Sequence, residues 1–568
     1  MKQLGILDAA FINLEQPNTP QHVGGMGIYD PSTSEDGFVR FKQVIANFEH
    51  RLAAMPLFRT RLVEVPGGID RPYFVMDDKF DVEFHLRHIA LPYPGDWRQL
   101  CIQLARLHAR PLDMSRPLWE AYIIEGLDNI PDLPKGSFAV YTKMHHCLVD
   151  GAGGQSFMAA LHDLEPNPDP SKNFMPVDSP HIVDREPSSG ELLTRALSNK
   201  ITGSVGLVKG TVGLGIDLAK MGIKIARDEI PAPDINAPKT RLNRPVGPHR
   251  VFEAAMFSLD DFKTIKNAAG VTVNDVALGV ISGALRKYLE HYDELPDEAL
   301  AASMPLNMRT RRETTEDNNQ VGAVFASLHT NVASPMDRLR AIHGSTQEAK
   351  TFGENSPMVD ALKLAGVFSP LVSKTLSRIY SENELSRSMP MNISTVISNV
   401  PGPPIDLYCA GARLVRYHGL GLLTPGCGMF HLIFSSSGIV TMSVLADRDI
   451  LPDPEFYRQL LEESFAELLE EAKEDTKPAV KKVKATASAK SKAQPKAKAK
   501  AKAKAKSKVT PKSKAKVAKK SKSAPKPKTA SKAGKKVAAG KAKTIVQPKS
   551  AARKTSPRAR PKAKVKTS

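Results

Sequence analysis

Two adjacent histidines, followed by an acid and a glycine, are the residues of this sequence best suited to chemistry. His145 and His146 end a run typical of a half-buried strand, residues 137–144, and Asp150-Gly151 closes the turn that follows. Histidine has an ordinary pKa near neutrality, so it can take a proton from a hydroxyl and return it to a leaving group. Adjacent strand residues point to opposite faces. We therefore expect one histidine to act as a base and the other to pack.

Two plainer interpretations of these residues compete with catalysis. Asp150 and Gly151 could form an ordinary turn at the end of a strand. A metal site is disfavoured because the histidines lack the i, i+4 spacing of a helix and no cysteine pair lies nearby. No metal is therefore expected, and the context along the chain has to decide between catalysis and a turn.

The net charge of +20 is the sum of two very different parts of the chain. Residues 477–568 hold 34 of the 80 Lys and Arg and no Asp or Glu, which leaves 46 basic and 60 acidic residues in 1–476, or about −14. A Lys/Ala-rich segment without aromatic residues cannot offset its chain entropy, so a disordered tail is expected. Its charge predicts non-specific binding to nucleic acid or to an anionic lipid surface.

Cysteine usage and hydropathy indicate the compartment. The four cysteines form no CxxC pair, which is typical of a reducing environment. Asp8 interrupts the N-terminal apolar run, so no signal peptide is expected. No stretch of about 18 apolar residues could span a bilayer. These observations favour a cytoplasmic protein, or one that lies on a membrane surface.

Apolar spacing predicts a layered α/β protein with two units. In the first unit, helices are predicted over 37–52 and after Asp96, and strands over 82–89 and 120–125. A Pro-rich connector and a Gly- and Lys-containing helical segment follow. The second unit starts with a strand at 250, a helix from Asp261 and a long helix with Asn274 as its N-cap. A hairpin, 429–435 with 439–445, and an amphipathic helix from Pro454 to Glu474 end it.

Several strings in the chain resemble one known family. His145 to Gly151 is similar to the HHxxxDG motif of acyltransferases with the chloramphenicol acetyltransferase and condensation-domain fold. Other strings narrow the resemblance to the bacterial wax ester synthase/diacylglycerol acyltransferase family, and they occur in that family's order up to about residue 470: Leu7-Asp8-Ala9-Ala10-Phe11, His22-Val23-Gly24-Gly25, Arg116-Pro117-Leu118-Trp119-Glu120, Val273-Asn274-Asp275-Val276, Pro305-Leu306-Asn307-Met308-Arg309 and Ile397-Ser398-Asn399-Val400-Pro401-Gly402-Pro403.

The resemblance implies an α/β fold of two chloramphenicol-acetyltransferase-like, or condensation-domain-like, subdomains in a pseudo-dimeric arrangement. The expected parts are 1–180 with the HHxxxDG motif, a crossover linker and helix over 181–248, a second subdomain over 249–475, and the disordered tail over 476–568. It also implies a long-chain acyl-coenzyme A as donor and diacylglycerol or a fatty alcohol as acceptor. Acyl-coenzyme A would be a co-substrate, and no cofactor is expected.

The family motif assigns roles to individual residues. His146 matches the general base, Asp150 the acid that holds the loop in shape, and Gly151 the position of close backbone approach, while His145 is taken as support. No acyl-enzyme is needed, and Cys147 falls at a position that the motif leaves open. Candidate substrate-binding residues from the other strings are Asn274, Asn307 and Arg309. The lipid substrates favour a peripheral location at a membrane or lipid inclusion.

Two rival functions stay open from the sequence. A carrier-protein-dependent condensation-type acyltransferase shares HHxxxDG, but the chain has no carrier module and its Pro-Leu-Trp and Asn-Val-Pro-Gly-Pro strings favour lipid esterification. A non-enzymatic protein that coats lipid inclusions or binds nucleic acid could use the same fold and the basic tail. The intact His146, Asp150 and Gly151 argue for an active site.

Overall fold

The structure is a computed structural model of the 568-residue chain. It describes residues 1–53, 55–148, 160–168, 185–199, 237–307, 321–355 and 393–475, and isolated residues around 158, 220–229 and 370–379. Residues 1–481 belong to one compact unit. The predicted tail and about half of the predicted crossover segment, 181–248, lie outside the described residues.

The described chain contains both strands and helices. The strands are β1 (Lys2–Gln3), β2 (His22–Asp30), β3 (Thr60–Val63), β4 (Tyr73–Met76), β5 (Leu86–Ala90), β6 (Trp119–Glu125), β7 (Phe138–His145), β8 (Arg250–Ser258), β9 (Ala301–Asn307), β10 (Val321–Ser327), β11 (Thr395–Pro401), β12 (Tyr408–Cys409), β13 (Ala412–Leu420), β14 (Met429–Ser436) and β15 (Ile439–Asp447). The helices include α1 (Ile6–Leu14), α2 (Phe41–Ala53), α3 (Val82–His85), α4 (Trp97–Ala109), α5 (Leu259–Ala269), α6 (Val273–His291), α7 (Pro335–Asn355) and α8 (Pro454–Asp475).

The first large sheet contains strands from both halves of the chain. Its order is β12-β13-β2-β7-β6-β5, and all neighbours are antiparallel except β5 and β6. Strand β13 lies within the predicted second subdomain, 249–475, yet it pairs with β2 of the first. The two halves are therefore joined by strands of the second half, β12 and β13, that complete the first sheet. A third, small sheet has the order β1-β4-β3, and its strands lie within residues 2–76.

The second large sheet has the order β10-β9-β11-β14-β15-β8. Helix α6 packs against α7 and α8, and these helices share one hydrophobic core with the sheet. Leu278, Ile281 and Leu285 of α6 are fully buried there. The predicted hairpin is confirmed by β14 and β15, which are joined by the two residues Ser437 and Gly438. Both turn residues have positive φ, the geometry that matches the twist of two-residue hairpins.

Local hydrogen bonds explain where the helix predictions succeeded and failed. The helix predicted after Asp96 is α4, and the Asp96 side chain accepts a hydrogen bond from the backbone of Gln99 at 2.8 Å. The prediction of a strand over 82–89 is wrong in its first half. The Asp81 carboxylate accepts the Glu83 N–H at 3.0 Å and starts the short helix α3, so the strand begins only at Leu86.

Candidate active site

Alternate residues of strand β7 line an apolar cavity of about 490 Å³ between the two large sheets. Ligand pockets commonly have this size. The pleat of a strand sends every second side chain to the same face, so Val140, Thr142 and Met144 share the wall with His146. The remaining wall comes chiefly from β2, β11, β13 and β14, and it includes Gly25, Gly27, Val400, Tyr417, Gly419, Phe430, Leu432 and Phe434.

His146 lies just beyond the end of β7 and is half-buried at this wall. Its backbone N–H donates to the carbonyl of Gln21 at 2.9 Å. Its ring stacks on the ring of Phe11, with centroids 4.1 Å apart and 16° between the planes. The imidazole predicted to be the base is therefore on the cavity side and is held by contacts to both its backbone and its ring.

His145 points to the opposite face and is fully buried. The backbone N–H of Cys147 donates to its Nδ1 at 3.1 Å, and its Nε2 lies 3.2 Å from Oε2 of Glu15. Because Nδ1 accepts a hydrogen bond, the proton of the neutral ring is on Nε2, from which it is donated to the carboxylate. These contacts fit the supporting role predicted for His145.

Burial weighs against Cys147 as a nucleophile. Its side chain is fully buried and is absent from the cavity wall. Burial, with the carboxylates of Asp8 and Glu15 adding to it, raises the pKa of the thiol well above its ordinary value. Since the thiolate is the nucleophilic form, Cys147 is poorly suited to attack a thioester.

The far end of the cavity carries a pair of buried polar side chains. Tyr29 donates its hydroxyl hydrogen to Nε2 of His162 at 2.7 Å, and Nδ1 of His162 donates to the carbonyl of Met158 at 2.6 Å. Burial lowers the pKa of His162 to about 4, so the ring is neutral near pH 7. With both nitrogens occupied, this histidine closes the cavity rather than exchanging protons.

Asn274 lies near the cavity, but it is not the predicted helix cap. Thr272 is the N-cap of α6, and it forms a reciprocal capping box with Asp275. The prediction placed the cap two residues too late because it did not consider this Thr-x-x-Asp pattern. The side chain of Asn274 instead accepts a hydrogen bond at 3.1 Å from that of Asn399, which lines the cavity.

Of the other predicted site residues, Asn307 is among the described residues. The backbone of Asn307 ends β9 and pairs with Val321, two residues beyond Pro305, which lines the cavity. Asp150, Gly151 and Arg309 lie outside the described residues.

Sequence reasoning missed four residues that shape this site: Phe11, Glu15, Asn399 and Tyr417. Phe11 and Asn399 are in strings that resemble the family, although those strings indicated no role for them. No local pattern indicates Glu15 or Tyr417. Glu15 contacts His145, which lies 130 positions away in the sequence. Tyr417 faces the cavity between the two large sheets.

Two six-stranded sheets, joined through β13 of the second half, enclose a strand-end histidine in an apolar cavity and define a condensation-domain-like fold. A solved structure, the wax ester synthase/diacylglycerol acyltransferase from Marinobacter aquaeolei VT8, is similar. It has a TM-score of 0.58 and 27% sequence identity, and the match covers 83% of this chain and 100% of that chain. The predicted fold class is thus confirmed.

The sequence comparisons lead to one family. The wax ester synthase/diacylglycerol acyltransferase catalytic domain matches residues 4–277, and the C-terminal domain of the same family matches residues 318–469. A relative from Mycobacterium tuberculosis, named as a candidate diacylglycerol O-acyltransferase, is 34% identical over 464 residues, which are 81% of this chain and 98% of the relative. A similarly named relative from Mycobacterium bovis is 32% identical over 469 residues, 81% of this chain and 97% of the relative.

The chain therefore belongs to the wax ester synthase/diacylglycerol acyltransferase family, as its motifs predicted, and it is an enzyme of this acyltransferase kind. Within the described part of the chain, no single helix is long and apolar enough to cross a membrane. Only α5 and α6 taken together, with a 95° bend between them, meet the criterion of length and composition.

Proposed function

We propose that this chain transfers a long-chain fatty acyl group from acyl-coenzyme A to the hydroxyl of a lipid alcohol, either diacylglycerol or a fatty alcohol. The observation that carries the proposal is His146 at the wall of an otherwise largely apolar cavity. A proton acceptor in such surroundings suits a substrate that is mostly hydrocarbon and has one reacting hydroxyl. The names of the relatives support the same substrate class.

His146 would act as the general base. It accepts the proton of the acceptor hydroxyl while that oxygen attacks the thioester carbonyl carbon and forms the new C–O bond. The C–S bond then breaks, and the proton passes from the imidazole to the coenzyme A thiolate. The products are the ester and free coenzyme A, and the histidine returns to its starting state.

An acyl-enzyme intermediate is not part of the proposal. The thioester is already activated, and a site that holds both substrates together gains most from orientation alone. The thiol next to His146 in the sequence is that of Cys147, which is buried away from the cavity, and burial raises the pKa of Cys409, which lines the cavity, to about 12. Direct transfer therefore requires no further nucleophile.

The length of the cavity supports a long acyl chain. From Val140 to His146 the wall follows six residue steps, which at the rise of a strand is roughly 20 Å. Only apolar side chains and Thr142 lie along this line on β7. The hydrocarbon would lie along β7, with its reacting carbonyl at His146 and its methyl end towards Tyr29 and His162.

The remaining predicted residues complete the proposed site. Asn274 and Asn399, joined side chain to side chain, would present amide groups to the polar part of a substrate beside the cavity. Asp150 would keep the loop after His146 in shape, and Gly151 would allow close backbone approach there. Asn307 and Arg309 would contribute to substrate binding at the end of β9.

We place the enzyme in the cytoplasm at the surface of a membrane or lipid inclusion. The insolubility of its substrates is one reason, and the 34 positive charges of residues 477–568 are another. The same charges would bind nucleic acid without sequence preference. Deletion of 477–568 should leave acyl transfer unchanged and weaken binding to anionic vesicles and to DNA, most strongly at low salt, where the charges of the tail contribute most. Loss of transfer on micellar substrate would contradict this separation.

Thiol release from palmitoyl-coenzyme A tests the proposed function. The assay compares diacylglycerol, hexadecanol and no acceptor, with the wild-type chain and His146→Ala. We expect release that depends on an acceptor and is lost in the variant, and the better acceptor defines the activity. No release with either alcohol would contradict the proposal and favour a carrier-dependent transferase or a non-enzymatic binding protein.

A further inference from the structure

We propose that helix α1 and the residue that follows it are the positioning element for His146. Phe11 holds the ring, and Glu15 holds the backbone on both sides of it. The inference rests on the proposed function, because it assigns these residues to the orientation of the general base. It starts from the end of β7, where sheet pairing stops at His145. His146 is the first residue beyond that pairing, so its place depends on other contacts.

Phe11 restricts the ring. The two rings are nearly parallel, with centroids 4.1 Å apart, and Phe11 also lines the cavity. Both nitrogens of an imidazole lie at the edge of its plane, so a stacked neighbour limits rotation without occupying either nitrogen. The contact therefore selects the direction in which the nitrogens point and leaves proton exchange to the ring edge.

Glu15 holds the backbone before His146 through Gln21. Its Oε2 accepts the backbone N–H of Gln21 at 2.6 Å, and the carbonyl of the same Gln21 accepts the backbone N–H of His146 at 2.9 Å. Hydrogen bonds to an ionised acceptor are short and stronger than neutral ones. The carboxylate thus holds Gln21, the residue to which the backbone of His146 is hydrogen-bonded.

A second route runs from Glu15 through His145. The Nε2–H of His145 is directed to Oε2 of Glu15 at 3.2 Å, and Nδ1 of the same ring accepts the N–H of Cys147 at 3.1 Å. His145 thereby connects the carboxylate to the residue after His146. Glu15 reaches the chain on both sides of the base without touching the base itself.

The position of Glu15 in the sequence fits this role. It follows Phe11 by four residues, about one helical turn, so both side chains reach the same end of β7. A base displaced by about 1 Å can cost up to about 100-fold in rate. We therefore assign Phe11 and Glu15 as positioning residues whose loss lowers kcat rather than substrate binding.

The test compares Glu15→Ala, Glu15→Gln and Phe11→Leu in the full-length chain, with palmitoyl-coenzyme A and the better acceptor. We expect Glu15→Ala to lower kcat by about 10- to 100-fold with KM for the thioester within about twofold. Glu15→Gln keeps an acceptor oxygen at the same reach and should restore most of the rate. Phe11→Leu should lower kcat by about tenfold, because a flexible side chain no longer fixes the ring plane.

Two control variants separate positioning from general stability. Leu14→Ala changes an exposed residue of the same helix and should keep the wild-type kcat. Val444→Ala creates a cavity in the second sheet, so it should lower Tm while the kcat of the folded enzyme stays unchanged. Thermal unfolding is measured for every variant.

The outcomes distinguish this inference from the proposed function. If the wild-type chain releases no thiol with any acceptor, the proposed function fails and this inference fails with it. If the wild-type chain is active but Glu15→Ala keeps its kcat, only the inference is overturned. It is also overturned if KM rises instead, or if Glu15→Gln loses as much rate as Glu15→Ala.

Discussion

The two faces of strand β7 differ sharply in chemistry, although they alternate residue by residue. The cavity face carries Val140, Thr142 and Met144 and ends at His146. The opposite face carries Tyr141, Lys143 and His145, and all three side chains are fully buried. The side chains of the face with many ionisable groups do not line the cavity. The face that borders the cavity has almost none.

The polar face is a connected structural network. Lys143 donates to the carbonyls of Leu107 and Arg110, at 3.1 and 2.8 Å, where α4 ends. Tyr141 donates to Nδ1 of His108 at 2.7 Å, and Nε2 of His108 donates to the carbonyl of Gly421 at 2.7 Å. Burial lowers the pKa of His108 to about 3, so this ring stays neutral near pH 7. The network joins the sheet to α4 and to the chain after β13.

The comparison shows that a dense group of histidine, lysine and tyrosine residues need not mark the reactive site. On the polar face each hydrogen bond already has its partner within the protein, so these groups stabilise the fold. On the cavity face one imidazole in largely apolar surroundings can act on a substrate. The following variants should therefore change rate on one face and stability on the other.

The largest effect is expected for His146→Ala. Loss of the proposed general base should lower acceptor-dependent thiol release by roughly 100- to 10,000-fold, and Tm should change little because the side chain is only half-buried. Initial rates and thermal unfolding are measured in parallel. His50→Ala, at an exposed histidine of α2, is the matched control and should keep the wild-type rate. A folded His146→Ala protein with an unchanged rate would exclude His146 as the base.

Lys143→Met tests the polar face. The substitution keeps the length of the side chain but leaves two carbonyl groups at the end of α4 without their buried donor. We expect the free energy of unfolding to fall by about 1–3 kcal/mol in urea titrations. The kcat of the folded fraction should stay within about twofold of the wild-type value.

The control for this substitution is Lys42→Met, at an exposed lysine of α2, which should leave the stability nearly unchanged. A Lys143→Met protein with normal stability but a much lower kcat would reverse the comparison, because it would place the polar face in the reaction.

Gly25→Ala tests the shape of the cavity face. A Cβ atom at Gly25 would lie 1.9 Å from the hydroxyl of Tyr417, so the tyrosine must move within the cavity. Gly25 pairs with Thr142 on β7, which precedes His146 by four residues. We expect the rate with palmitoyl-coenzyme A to fall by about tenfold and the rate with short acyl chains to change much less.

Two further variants sharpen the interpretation of this substitution. Adding Tyr417→Leu should restore part of the long-chain rate in the Gly25→Ala protein, because it removes the colliding hydroxyl. Gly190→Ala is the matched control, since a Cβ there meets nothing within 4 Å. An equal loss with all chain lengths would show that Gly25 affects the fold rather than the space for the acyl chain.

The elements that the sequence predicts well are those set by neighbouring residues. Helix α4 after Asp96, the hairpin of β14 and β15, and the orientation of His145 and His146 to opposite sides follow from local periodicity and turn chemistry. The same local rules also fail locally. Asp81 caps a short helix where a strand was predicted over 82–89. Thr272, and not the predicted Asn274, is the N-cap of α6.

The long-range contacts are not predictable in this way. Strand β13 lies about 390 positions from β2 in the sequence, and nothing in its own residues specifies that partner. Glu15 and His145 are separated by 130 positions, and their contact exists only because α1 returns to the end of β7. Family resemblance indicates which segments matter, whereas the role of each side chain requires the fold.

The smallest effect near neutral pH is expected for His108→Gln, on the polar face. The ordinary pKa of histidine is 6.5, and burial lowers that of His108 to about 3 in the folded chain. Between these values the unfolded chain binds a proton that the folded chain does not, so stability is lost as the pH falls from 6.5 towards 3. His108→Gln removes this contribution. The slope of unfolding free energy against pH should decrease by at most about 1.4 kcal/mol per pH unit.

Tyr141→Phe is the matched control, because it removes the hydrogen bond to His108 and keeps the titrating ring. It should lower stability at all pH values and leave most of the slope in place. Other buried histidines with lowered pKa values, among them His418, His431 and His162, should keep part of the slope in every variant. If His108→Gln leaves the slope as it is in the wild-type chain, the burial of His108 as a neutral ring is not a source of the pH dependence of stability. The hydrogen bonds of His108 with Tyr141 and Gly421 would then act on stability alike at all pH values.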